Sequence, residues 1–178
     1  MEKAFVMDAI RSATSEVFSM MLGMDVTPGN AYTASSAPTP QAGIQSFIGL
    51  TGSWVGTGSI ACTPELACQA AANLLLAEYP TVNEEVLDAI AEMTNMIIGN
   101  VKTALETTLG PMGLSIPTVI FGRNFMSRTS ASTEWMVVPF HIADEVVEVQ
   151  LCLTPCSEAD HLVRSGHSAQ PRSEALTL

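Results

Sequence analysis

Asp88, Glu92, Asn95, Gly99, Lys102 and Glu106 fall within roughly 40° of one line when residues 84 to 109 are wound as a helix at about 100° per residue. Two of these side chains have chemistry to offer at a fixed spacing. An amide such as that of Asn95 both donates and accepts hydrogen bonds, so it can hold a water molecule in place without taking its proton. The carboxylate of Glu92, one turn away on the same face, is suited to pairing with a cationic group on whatever covers the stripe. Any amphipathic helix has a solvated polar stripe, and the same residues also fit that description, Lys102 and Glu106 above all. Asn95 and Gly99 are poor choices for a plain surface, however. Asparagine is a middling helix former, and glycine in mid-helix costs about 1 kcal/mol relative to alanine. A partner backbone approaching closely would account for both.

The other reactive residues do not assemble into a stronger candidate. The histidines His141, His161 and His167 stand near a strand end or in the C-terminal segment, and no GxSxG elbow is present to supply a nucleophile beside a base. Cys152, Cys156, His161 and His167 are of metal-binding types, but a CxxxC leading into a sparse segment is not the paired CxxC of a structural zinc site. The expected metal complement is none. The four cysteines, Cys62, Cys68, Cys152 and Cys156, are expected to be reduced and structural.

The stripe needs a helix to carry it and a body to seat that helix. Asn83-Glu84-Glu85 opens the helix with a cap and two acids suited to the positive end of its dipole, and Gly110-Pro111 stops it. Its far side carries Leu87, Ile90, Met93, Ile97, Val101, Ala104 and Leu105, an apolar face wide enough to lie on a sheet. Two further helices are expected, one from about Glu2 to Leu22 and one opened by Thr63-Pro64-Glu65 and closed by Pro80. Ile44 to Leu50 and Trp54 to Cys62 form a hairpin around Thr51-Gly52-Ser53, with Gly49, Gly56 and Gly58 marking close backbone approach. Ile116 to Phe121, Glu134 to Ile142 and Val146 to Leu153 are three more strands, the last two joined at Asp144-Glu145. Residues 27 to 41 and 110 to 115, rich in turn formers and without periodicity, read as connections. This order lacks the alternation of a doubly wound sheet, so the fold class is α+β: an antiparallel sheet with long helices packed on it. Residues 1–155 form one domain and 156–178 a flexible tail.

Composition bounds the partners. Of the 178 residues 47% are hydrophobic and 14% charged, ample for a core without disulfides or a structural metal. A formal net charge of -11 repels a phosphate backbone, which argues against nucleic acid. No apolar run approaches the roughly 18 residues of a membrane span, and the N-terminus lacks an export pattern, so a cytoplasmic location is expected.

The segment from Asp88 through Glu92 and Asn95 closely resembles the active-site helix of the CheC/CheX/FliY family of chemotaxis phosphatases, whose pattern is Asp or Ser, three residues, Glu, two residues, Asn. Asn95-Met-Ile-Ile-Gly99 and Lys102-Thr-Ala-Leu105 extend the likeness, as do Ile48-Gly-Leu-Thr-Gly52 and Ser115-Ile-Pro-Thr-Val119. The likeness covers about residues 1 to 153 and includes one Glu-x-x-Asn helix, which is similar to the single-site CheX type. It implies hydrolysis of the aspartyl phosphate on a CheY-like response-regulator receiver in two-component signalling. In that family Asn95 would orient the attacking water and Glu92 would pair with the receiver's lysine, as catalytic residues. Asp88 and Gly99 would belong to the partner-binding surface. No cofactor of the chain's own is implied, since Mg²⁺ sits in the receiver, and a homodimer is implied as well. A chain that keeps the fold and only docks a receiver or motor component, without catalysis, is the alternative.

Overall fold

The computed structural model describes residues 2–38, 42–123 and 134–156. Residues 157–178, most of the expected tail, lie outside them together with His161 and His167. In chain order the elements are α1 (Lys3–Met21), β1 (Thr27–Pro28), β2 (Tyr32–Ala34), β3 (Ala42–Gly52), β4 (Trp54–Cys62), α2 (Pro64–Leu75), α3 (Glu84–Leu109), β5 (Met112–Leu114), β6 (Thr118–Arg123), β7 (Trp135–Ile142) and β8 (Glu145–Pro155).

All strands join one antiparallel sheet. β7, β8, β4 and β3 run side by side, β1 and β2 share the outer side of β7, and β5 and β6 share the outer side of β3. The α+β class with helices on an antiparallel sheet is the observed one. Two of the expected connections turn out to hold strands. β1 and β2 lie inside 27–41 and β5 inside 110–115. Pieces of two or three residues cannot display a period, and they are held by the edges of β7 and β3 rather than by a pattern of their own.

Alternation along the strands sends Ile44, Ile48 and Leu50 of β3, Ile60 of β4, Val138 and Phe140 of β7 and Val149 and Leu151 of β8 to one face, where they form a single core with the three helices. The other face buries a smaller cluster of Trp135, Val137 and Cys152. There the Gln45 side chain donates to Ser59 Oγ (3.1 Å) and to the Pro38 carbonyl (3.1 Å), and Gln150 donates to the same carbonyl (3.0 Å).

Local signals set the helix ends. Thr63 Oγ1 accepts from the Leu66 N–H (3.2 Å) and Asn83 Oδ1 from the Val86 N–H (3.0 Å), the two expected N-caps. α2 stops at Leu75, short of Pro80, because Leu76 adopts the left-handed conformation (φ 54°) that usually belongs to glycine. α3 seats closely on the sheet at Gly58 of β4, where an added Cβ would come within 2.8 Å of Ile98 Cγ2. Its buried face is shifted from the expected one. Ala104 is exposed and Leu87 only half-buried, whereas Val86, Ala89 and Ile98 join the core, and Thr94 is fully buried and donates its hydroxyl to the Ile90 carbonyl (2.7 Å). No helix among the described residues is long and apolar enough to cross a membrane.

Candidate active site

α3 buries Val86, Ala89, Ile90, Met93, Thr94, Ile97, Ile98, Val101 and Leu105, and this fixes its rotation about its own axis. The opposite line is thereby turned outward. Asp88 and Glu92 are exposed, and Asn95 and Gly99 are half-buried. The four sequence-predicted site residues share one outward stripe on a helix that the core holds rigidly.

The stripe divides into two parts. Lys102 Nζ lies 2.8 Å from Glu106 Oε1, and the same carboxylate oxygen accepts from the Met112 N–H (2.8 Å). These charges are paired with each other rather than left free in solvent, and Glu106 ties the end of α3 to the start of β5. The Lys102 hydrogen bond, then the Met112 bond, holds its carboxyl below the usual carboxylate range. Asp88, Glu92 and Asn95, in contrast, make no side-chain hydrogen bond or ion pair among the described residues. Their polar atoms face outward and are available to a partner.

Nothing among the described residues demands a glycine at position 99. A Cβ added there would stand 3.8 Å from Leu114 Cδ1, an ordinary van der Waals contact. The room that glycine leaves is on the outer surface of the helix.

Beside the stripe runs a groove of about 650 Å³ lined by Met21, Leu74, Leu75, Tyr79, Glu85, Asp88, Ala89, Glu92 and Met96. Sequence reasoning did not find it, because its walls come from the ends of α1 and α2 and from the α2–α3 connection, which no single period links. Asn73 Nδ2 donates to the Leu22 carbonyl (2.9 Å) and so brings those two helix ends together. Tyr79 donates its hydroxyl to Glu85 (2.6 Å), and this bond raises the phenol's pKa. A larger cleft of about 840 Å³, bordered by Cys68, Gln69, Tyr79 and Phe121, contains none of the stripe residues.

The motif stretches in the hairpin and after α3 also meet. Ser115 Oγ accepts from the Gly49 N–H (2.8 Å), and the Ser115 N–H donates to the Gly49 carbonyl (2.9 Å), at the junction of β5 and β6 along β3. Their part is structural: they set the sheet edge that follows α3. Rival chemistry finds no support at the cysteines. Cys62 is fully buried, and burial, with Glu145 adding to it, pushes its thiol up to about 12, far from a thiolate nucleophile. Among the described residues no group of three or more His, Cys, Asp or Glu side chains could hold a metal ion.

An antiparallel sheet carrying one long helix with an outward acid–amide pair defines a CheC-like α+β protein. The family model for "Chemotaxis phosphatase CheX" matches residues 44–141, more than half of the chain, and the chain belongs to that family. It is thus an enzyme of the phosphatase class of hydrolases. The CheY-P phosphatase CheX of Thermotoga maritima is 27% identical over 122 residues, which span 68% of this chain and 78% of that protein. The structure of the CheX–CheY–BeF₃–Mg²⁺ complex from Borrelia burgdorferi superposes with a TM-score of 0.71 at 25% identity, covering 83% of this chain and 97% of that one. The fold is likewise that of the chemotaxis protein CheX from Desulfovibrio desulfuricans, with a TM-score of 0.74 at 24% identity over 84% of this chain and 99% of that one.

Proposed function

We propose that this chain hydrolyses the aspartyl phosphate of a CheY-like receiver domain, with Asn95 and Glu92 as its catalytic side chains. The observation that carries the proposal is the outward and unengaged state of Glu92 and Asn95 on a helix whose other face is wholly committed to the core. The matching family description, and the complex of a relative with CheY, BeF₃ and Mg²⁺, support it from outside the chain.

In this reading the receiver supplies most of the charge compensation. Its Mg²⁺ and its lysine lie on the phosphoryl oxygens, so this chain brings no metal. What the receiver lacks is a water in line with the leaving carboxylate. The Asn95 amide holds that water by donating to or accepting from it. The water oxygen bonds to phosphorus as the phosphorus–oxygen bond to the aspartate breaks; the carboxylate leaves with the electron pair, and inorganic phosphate departs with the water's oxygen. Glu92 pairs with the receiver's lysine and fixes the helix over the phosphoryl group. Asp88, a turn before Glu92, and Gly99, where the helix surface is lowest, belong to the surface that the receiver covers. The protein acts in the cytoplasm, and as a symmetric homodimer with two separate sites.

Phosphate release from purified receivers, charged with acetyl phosphate in Mg²⁺, tests the proposal. Acceleration by substoichiometric amounts of the chain is expected, with no metal retained by the chain itself. Binding of charged receivers without any change in rate would make it a docking module instead. Stoichiometric zinc in the purified protein would also count against this mechanism.

A further inference from the structure

We propose that the groove beside the stripe is the affinity site for the same receiver, seating an apolar patch of its surface that carries a basic residue at one edge. This rests on the phosphatase function proposed above and adds to it a division of labour between binding and chemistry. Three observations carry it. First, the groove is continuous with the stripe: Asp88 and Glu92 line both, so a body placed over Glu92 and Asn95 also covers Met21, Leu75 and Met96. Second, two of its apolar side chains are exposed. Met21 is 51% and Leu75 46% exposed, next in sequence to Met20 at 75% and Leu76 at 91%. A cluster of this size on a small domain marks an interaction surface, and methionine side chains adapt to an incoming apolar surface at little cost. Third, the rim has one sign. Glu85, Asp88 and Glu92 are all acidic, so a partner is favoured that brings a cation with its apolar patch, and a second copy of this acidic chain is disfavoured.

Leu75→Glu and Met21→Glu test this, since both positions are half in solvent and neither bears on the reacting atoms. Initial rates of phosphate release would be measured against the concentration of acetyl-phosphate-charged receiver, alongside binding of the receiver loaded with BeF₃⁻ and Mg²⁺. Each variant is expected to raise KM and the dissociation constant tenfold or more, with kcat within twofold of the wild type. Asn95→Ala should show the reverse, wild-type binding with little turnover. Wild-type KM in both groove variants, with the wild type active, would overturn the groove while leaving the phosphatase function standing. A wild type that neither binds nor hydrolyses any receiver would overturn both. A change of oligomeric mass in the groove variants without a change in KM would assign the groove to a second copy and also overturn the proposal.

Discussion

Asn95 and Glu92 sit three residues apart on one stripe, yet they should fail differently when removed. A water-orienting amide acts mainly in the transition state, so Asn95→Ala should lower turnover by about 10²-fold, near 2.7 kcal/mol, with receiver binding little changed. Glu92 acts in the docked complex as well. Glu92→Ala should therefore raise KM and lower kcat, and Glu92→Lys should be worse, because it sets like charges together against the receiver's lysine. Neither substitution disturbs the core: Glu92 is exposed, Asn95 is half-buried with no hydrogen bond to lose among the described residues, and alanine is the better helix former at both positions. Initial-rate kinetics on the three variants, with circular dichroism to check folding, separates the roles. Wild-type turnover in folded variants would reduce this face to ordinary solvated surface.

At the scale of elements, the long helix is where function and fold compete, and Gly99 is the point at which to measure the competition. A Cβ there meets nothing closer than Leu114 Cδ1 at 3.8 Å, so Gly99→Ala should stabilise the chain by about 1 kcal/mol, read as a raised denaturation midpoint. If a receiver lies against that turn, the same variant should lose activity as it gains stability; full activity would free Gly99 from any partner contact. Glu106 gives the helix a second, pH-dependent anchor. Its folded-state pKa lies below the ordinary value of 4.5, so its contribution is present above that value and is lost as the pH falls through the lower folded one. Glu106→Gln should thus melt slightly below the wild type at neutral pH, a small gap because the pair is solvent-screened, and the two curves should converge as the pH falls through the lowered pKa of the folded state. Equal melting temperatures at neutral pH would show that Glu106 anchors nothing. These two positions also mark what the sequence made legible. The rotation of α3 and its N-cap could be read because its apolar period runs over many turns and Asn83 stands at its start. The pairing of Lys102 with Glu106 could be foreseen only as a four-residue step; the third member, the Met112 N–H, comes from a strand too short to show a period. The groove was hidden for the same reason, being assembled from three segments that meet only in the fold.

At the scale of the whole molecule, the sheet has two edges to protect, and they differ. The outer side of β7 is covered by β1 and β2. β6 pairs with β3 alone among the described residues, and its neighbourhood leaves Ile116 at 89%, Ile120 at 37% and Phe121 at 50% exposed. An uncovered apolar edge strand is a template for strand pairing, and a second copy closes it with two-fold symmetry. We therefore expect a homodimer through β6. Each chain carries a formal charge of -11, so association has to overcome like-charge repulsion and must draw on backbone pairing and apolar contact. Receiver docking through Glu92 is an attraction between opposite charges. Salt should separate the two: raising it from about 0.05 to 0.5 M shortens the Debye length several-fold, which relieves the repulsion between copies and weakens the pairing of Glu92 with the receiver. The dimer should persist or tighten in light scattering while KM for the charged receiver rises. Ile120→Lys, which places a charge on the edge, should give a monomer whose α3 is intact and whose turnover is close to the wild type, because each site is built from one chain's helix. A monomer mass for the wild-type chain at micromolar concentration would exclude the dimer, and an inactive monomeric Ile120→Lys would mean that a site needs both copies.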